Sequence, residues 1–343
     1  MKTPFALIIL IFLAGHIYGQ TSQEYFQRGL KRDSLKDYEG AVEEYTKSIK
    51  IDSTHANAYR NRGLDKEEYY DIKGALADYT KAIEIDPKFA WAYLNRALLE
   101  KDYSHDYNAA ILDYTEAIRI DTLFELAYGE RADAKNRIKD YKGAIADWTK
   151  IIELDSENIS YLLNIGSAKE NLKDYLGAIE VFNMELEHNP DYWPVLWERG
   201  RSKIFLKDYA GAINDFDSAK KHYSSFDHEF FGLINYDIGR AKDSLTDYEG
   251  AISAYTLAIK NNYRYAHAYN NRGFSKFKLK DYSEAMEDET KSIELDSSNS
   301  YAYYNRALSK LALGQKESAC QDFKKAAELG NEKAKEEMKK NCQ

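Results

Sequence analysis

AYRNRG at residues 58–63 and GALADYTKAIEIDP at 74–87 decide the fold of this chain. A small residue, Gly63, is followed twelve positions later by Ala75, and an aromatic residue, Tyr79, stands one helical turn further on. Small residue and Ala recur as Gly29 and Ala41, Ala132 and Ala144, Gly166 and Ala178, Gly200 and Ala212, Gly239 and Ala251, Gly273 and Ala285, and Ala307 and Ala319. Ala97 and Ala110 repeat the pattern with one extra residue between them. The second members follow one another at 34 or 35 residues, except for a step of 39 from Ala212 to Ala251. That is the period of a helix-turn-helix unit stacked on copies of itself. A small residue facing Ala lets two helices approach until ridges seat in grooves. Tyr45, Tyr79, Tyr114, Trp148, Phe182, Phe216, Tyr255 and Phe323 stand four residues after the Ala and fill the seam. Asp37, Asp71, Asp106, Asp140, Asp174, Asp208, Asp247 and Asp281 stand four before it, where a carboxylate caps the second helix.

These segments resemble the tetratricopeptide repeat consensus, in its exported bacterial type, over residues 22–329. The resemblance implies an all-α fold, a right-handed superhelical solenoid of nine helix-turn-helix repeats, at about 22–55, 56–89, 90–124, 125–158, 159–192, 193–231, 232–265, 266–299 and 300–329. It also implies a concave groove lined by the first helices, and a family of adaptors, co-chaperones and assembly scaffolds. The Lys and Asn arrangement with which some members clamp a C-terminal carboxylate is not matched, since Phe26 and Leu30 stand at those positions.

Composition narrows the partners. The net charge of −9 disfavours nucleic acid, which needs a cationic face. Lys2 followed by the apolar run Phe5 to Leu13 and a small-residue ending at Gly19 reads as a signal peptide over residues 1–19. The run is too short to cross a bilayer, so export to the periplasm or beyond is expected, with no membrane span. The seven His show no metal-ligand spacing; His222 and His228 with Asp227 form a local cluster that reads as a polar linker. Neither a phosphate loop nor a nucleophile elbow occurs, so no catalytic residue, metal or cofactor is expected and the chain is read as not an enzyme.

Immediately before the small anchor the chain carries Arg28, Arg62, Arg96, Arg131, Arg199, Arg272 and Arg306. Three residues after the Ala anchor of the same repeats stand Glu44, Asp78, Asp113, Asp147, Asp215, Asp288 and Asp322. In the other two repeats both positions turn apolar together, as Ile165 with Val181 and Ile238 with Ala254. Positions that lose charge in the same copies point to contact. An ion pair within each repeat is therefore expected; a ladder of anion-binding arginines is the alternative.

For function the first-helix positions off the packing stripe remain: Trp91, Leu94, Trp197, Arg201, Tyr236, Arg240, His267, Asn270, Tyr301 and Tyr304. Aromatic and Arg residues suit burial of a protein or peptide partner, though each side chain also suits a seam between repeats. The long step after Ala212 predicts an inter-repeat loop near 227–231, where Phe230 and Phe231 need cover and form a bend or partner contact, unless the loop is a plain one. Glu289 takes a seam position that is aromatic elsewhere, which predicts either a buried carboxyl or, the favoured expectation, loose packing of the last two repeats. After Leu329-Gly330-Asn331 a polar helix, 331–343, caps the last seam. Folded back, it brings Cys342 to Cys320 for a disulfide, with two buried thiols as the other possibility. The function expected is an interaction scaffold of the cell envelope; a structural subunit of a fixed envelope complex and a hydrolase or metal-dependent enzyme are the lesser readings.

Overall fold

The computed structural model describes residues 20–223, 228–262 and 265–342; residues 1–19, expected from the sequence to be a signal peptide, and Asp227 lie outside them. Nineteen helices and no strand occur among the described residues. The chain divides into two compact units, one ending at Tyr161 and the other beginning at Leu162. The sequence pattern shows no such division. It falls where the first helix of the fifth repeat is shortened to ten residues, after a stretch from Asp155 to Tyr161 that stays out of helix.

Unit 1 holds four helix pairs: α1 (Ser22–Ser34) with α2 (Tyr38–Ile51), α3 (Ala56–Glu68) with α4 (Ile72–Ile85), α5 (Ala90–Asp102) with α6 (Tyr107–Ile120), and α7 (Glu125–Arg137) with α8 (Tyr141–Leu154). Unit 2 holds five: α9 (Leu162–Asn171) with α10 (Tyr175–His188), α11 (Trp193–Phe205) with α12 (Tyr209–His222), α13 (His228–Ser244) with α14 (Tyr248–Asn261), α15 (Ala266–Lys278) with α16 (Tyr282–Leu295), and α17 (Ser300–Ala312) with α18 (Lys316–Glu328). The last helix, α19 (Glu332–Asn341), packs on α18.

The repeat anchors explain each pair. Every second-helix Ala, from Ala41 to Ala319, is fully buried, and so are the aromatic rings one turn on. A ring lies flat on the glycine of its own first helix: a Cβ on Gly200 would sit 2.6 Å from Phe216 Cε1. At Gly200 a Cβ would therefore need the ring to shift; the repeats that carry Ala97, Ala132 and Ala307 at this position accommodate a Cβ there. Between the helices of a pair the chain turns through one left-handed residue, for example Lys36, Lys173 or Lys207, and the following Asp caps the next helix. Seven of those carboxylates accept from a backbone N–H three residues on, as Asp208 does from Gly211 at 3.0 Å. Asp281 makes no such bond. Its helix has Glu284, not a small residue, at the third position, and that side chain turns to Lys276 instead.

Two expectations are corrected here. Phe230 and Phe231 do not lie in a loop but in the first turn of α13, which at 17 residues is the longest helix of its unit. Phe230 is covered from within, against Trp193 at 4.5 Å, Tyr223 at 4.9 Å and Trp197 at 5.2 Å between ring centroids. The added residues thus extend a helix to complete an aromatic cluster. Glu289 is not at a loose seam: it is fully buried and accepts from Ser309 Oγ at 3.1 Å. Burial pushes its carboxyl up to about 9, so it sits in the seam as a neutral acid. Cys320 and Cys342 are joined, with Cα atoms 5.7 Å apart, and Met338 and Cys342 of the cap lie against the core around Phe323.

Candidate partner-binding face

Six of the seven Arg and acid pairs form within their own repeat. Arg62, Arg96, Arg131, Arg199, Arg272 and Arg306 each grip the paired Asp in a two-pronged contact at 2.6–2.9 Å. The remaining arm of each guanidinium reaches back to the second helix of the preceding repeat, to Thr46, Thr80, Thr115, Asn183, Thr256 or Thr290. One arginine therefore ties three helices, and little of its donor set is left for a ligand.

Arg28 and Glu44 do not pair. Among the described residues no second helix precedes Arg28 to complete its anchorage; it donates to Gln20 at 3.0 Å, while Glu44 takes Lys47 at 2.6 Å. A lysine that the sequence reading passed over joins five of the pairs: Lys66, Lys135, Lys203, Lys276 and Lys310 approach the second carboxylate oxygen at 2.7–3.0 Å. Each stands four residues after its Arg, a fixed offset that was there to be found. In the third repeat this position is Glu100, which has a buried oxygen without a hydrogen-bond partner. Burial first, then the neighbouring Asp113, push its carboxyl up to about 7. In the two apolar repeats the corresponding Lys169 and Lys242 turn to the capping Asp174 and Asp247.

The first-helix candidates separate into free and committed side chains. In unit 1, Trp91 is 47% exposed, tilted against Phe124 and covered on one face by the Arg60 guanidinium at 5.3 Å. Leu94 is 1% exposed and belongs to the core. In unit 2, Trp197 donates to Asp237 Oδ2 at 3.2 Å, and Arg201 lies over the indole at 4.9 Å while pairing with Glu198 at 2.7 Å. The next repeat copies this arrangement: Arg240 lies over Tyr236 at 5.9 Å and pairs with Asp237 at 3.3 Å. Both guanidinium groups stay part-exposed, held in place by a ring and a carboxylate. His267 and Tyr301 are exposed. Asn270 is buried in an amide chain with Asn271 and Asn305, and Tyr304 is half-buried against Phe323 beneath α19.

His222 pairs with Asp191 and His228 with Asn261, so these two histidines serve separate contacts. Among the described residues no helix is long and apolar enough to cross a membrane.

Fold and face together define a helical repeat protein whose first helices carry aromatic and charged side chains outward. Comparison with known proteins gives the family. A "TPR repeat" pattern matches residues 71–101, a "Tetratricopeptide repeat" pattern residues 236–300, and a second pattern of that description residues 25–55 and 300–329. Among solved structures, a tetratricopeptide repeat protein from Parabacteroides merdae ATCC 43184 is 23% identical, with a TM-score of 0.55 over 74% of this chain and 99% of that one. The C-terminal part of a TPR repeat-containing protein from Cytophaga hutchinsonii is 16% identical, with a TM-score of 0.61 over 72% of this chain and 98% of that one. At such identities the likeness is one of fold. No curated protein matches the chain. The chain is a tetratricopeptide repeat protein, an all-α helical repeat solenoid.

Proposed function

We infer that this protein is a non-catalytic interaction scaffold of the cell envelope, which holds a protein or peptide partner on its first-helix face. The observation that carries the reading is the contrast between two sets of arginines. Six are consumed by carboxylates and hydroxyls inside the repeats, whereas Arg201 and Arg240 are stacked on Trp197 and Tyr236 with part of each guanidinium open to solvent. A side chain already ordered by a ring loses little further freedom on binding, and Arg, Trp and Tyr are the residues that most often anchor interfaces. Export is supported by the reading of residues 1–19 and by the Cys320–Cys342 bond, which suits an oxidising compartment.

The test is capture from intact cells. A photo-crosslinking residue placed at Arg240 or Tyr301 is expected to give one recurring adduct in the envelope fraction, and a mature N-terminus at Gln20. Cytosolic recovery of the full-length chain would overturn the location, and adduct-free chain at both positions would overturn the face.

A further inference from the structure

Between α9 and α11, on the first-helix face of unit 2, a cavity of about 330 Å3 opens among Glu170, Asn171, Tyr175, Glu198, Arg201 and Phe205. One wall is aromatic: Tyr175 and Phe205 stack with centroids 4.4 Å apart and planes 7° from parallel, and Phe205 remains half-exposed. The floor is two carboxyls from neighbouring repeats. Glu170 accepts from Ser202 Oγ at 2.5 Å and Glu198 from Arg201 at 2.7 Å, which leaves an oxygen of each toward the other. Asn171 spends its NH2 on the Ser167 carbonyl at 3.0 Å, so its own carbonyl oxygen is an acceptor.

Charge at this floor does not balance. Two carboxylates against one guanidinium leave an excess negative charge, which a part-buried site meets with a proton or a cation. Unit 1 shows which cation fits. The repeat register places Lys101 of α5 where α9 has Glu170, and Glu130 of α7 where α11 has Glu198. There the ammonium and carboxylate meet at 2.5 Å. Elsewhere in unit 2 the corresponding Asp243 of α13 accepts from the hydroxyls of Ser275 and Tyr255 at 2.6 and 2.8 Å, and a neutral amide, Asn271 of α15, holds the place of Glu198. The α9–α11 cleft thus has the acceptors of the Lys101 bridge and lacks the lysine.

We propose that this cleft receives one basic side chain of the partner, lysine or arginine, whose cation is held between the carboxyls of Glu170 and Glu198 and whose stem lies along Phe205. The proposal rests on the first-helix face being the partner surface and names the chemistry that one part of it selects. No covalent bond changes: the cation enters, and where Glu198 carries a proton it leaves to solvent. The charged groups facing Glu198 are Arg201 on its own helix and Glu170 on α9, with Asp237 of α13 beyond Arg201. Burial chiefly, opposed by Arg201 and reinforced by Glu170, raises the Glu198 carboxyl to about 7, so the entering cation competes with a proton below that pH and meets a carboxylate above it. Cation–π contact with Phe205 adds to the attraction.

The probe is the full chain titrated with acetyl-Gly-Arg-Gly-amide and with its citrulline counterpart, while the carboxyl carbon resonances of Glu170 and Glu198 are followed by NMR. The arginine peptide is expected to shift both signals saturably, about tenfold more tightly at pH 8 than at pH 6, and the isosteric neutral peptide to leave them unmoved. Glu170→Lys, which rebuilds the Lys101 bridge inside the cleft, is expected to abolish the response, and Glu198→Gln to remove its pH dependence. Equal shifts from the two peptides, no shift from either, or undiminished binding by Glu170→Lys would overturn the proposal. Partner adducts captured from Tyr301 or Arg240 by a chain that ignores both peptides would leave the scaffold reading standing and remove the cleft alone.

Discussion

Arg96 and Arg131 make the same contact with an Asp in different company, and their difference separates the parts of the ion-pair motif. Asp147 keeps Lys135 at 2.8 Å when Arg131 is removed, whereas Asp113 would be left beside Glu100 with no lysine. Arg131→Ala is expected to cost about 2 kcal/mol and Arg96→Ala about 3–5 kcal/mol, as a stranded buried charge does. Urea melts that rank the two the other way would contradict this. The double change Arg131→Ile with Asp147→Val should stay within about 1 kcal/mol of the unaltered chain, because Lys135 can turn to the capping Asp140 as Lys169 turns to Asp174. Glu100→Lys would complete the missing lysine of the third repeat and is expected to stabilise by about 1 kcal/mol. The pairing was legible in the sequence because Ile165 with Val181 and Ile238 with Ala254 change together. The lysine stands at a fixed offset of four from the Arg, but that spacing alone does not separate a solvated face from a Lys bent over a buried Asp.

Glu289 makes a pH-dependent prediction of definite sign. Its folded carboxyl titrates near 9 and an unfolded one near 4.5, so the folded chain holds the extra proton between those values. Stability associated with the neutral acid is complete below about 4.5 and is lost as the pH rises towards 9. Glu289→Gln, which keeps the shape and the Ser309 contact, is expected to flatten the fall of the melting temperature between pH 5 and pH 8; an unchanged slope would mean that the group is not buried as a neutral acid. Glu100, near 7, contributes in the same direction over the lower part of that window.

At the level of elements, α13 and α19 show where the repeat pattern is adapted. The longer step after Ala212 is visible in the sequence, but its outcome depends on tertiary packing. The extra turn became helix because Phe230 finds Trp193, Trp197 and Tyr223 around it, and no local signal announces such a cluster. Phe230→Ala is therefore expected to cost about 3 kcal/mol and to unseat Trp197, seen as a shift in its fluorescence. The cap was more legible: Gly330 in a left-handed conformation and the Asn331 side chain on the Ala334 N–H start α19 as the residue types suggest. Closing the chain over 22 residues, the Cys320–Cys342 bond should contribute on the order of 3 kcal/mol. Reduction is expected to raise amide exchange in α18 and α19 well before the other helices of unit 2, and uniform protection after reduction would contradict that.

For the molecule as a whole, the repeat period settles the fold while the partner face depends on details the period does not carry. Leu94 and Trp197 occupy the same place in the repeat, yet one is core and the other lies beneath an arginine on the surface. The difference comes from neighbours on other helices, which no single repeat contains. Which face of the repeats touches the partner is therefore the decisive property. Photo-crosslinking residues should be placed in parallel at Arg240 and Tyr301 on first helices and at Met184 and Leu257, exposed positions on second helices of the same unit. Adducts in living cells from the first-helix positions, with the second-helix positions blank, are the predicted result; adducts confined to Met184 and Leu257 would contradict it.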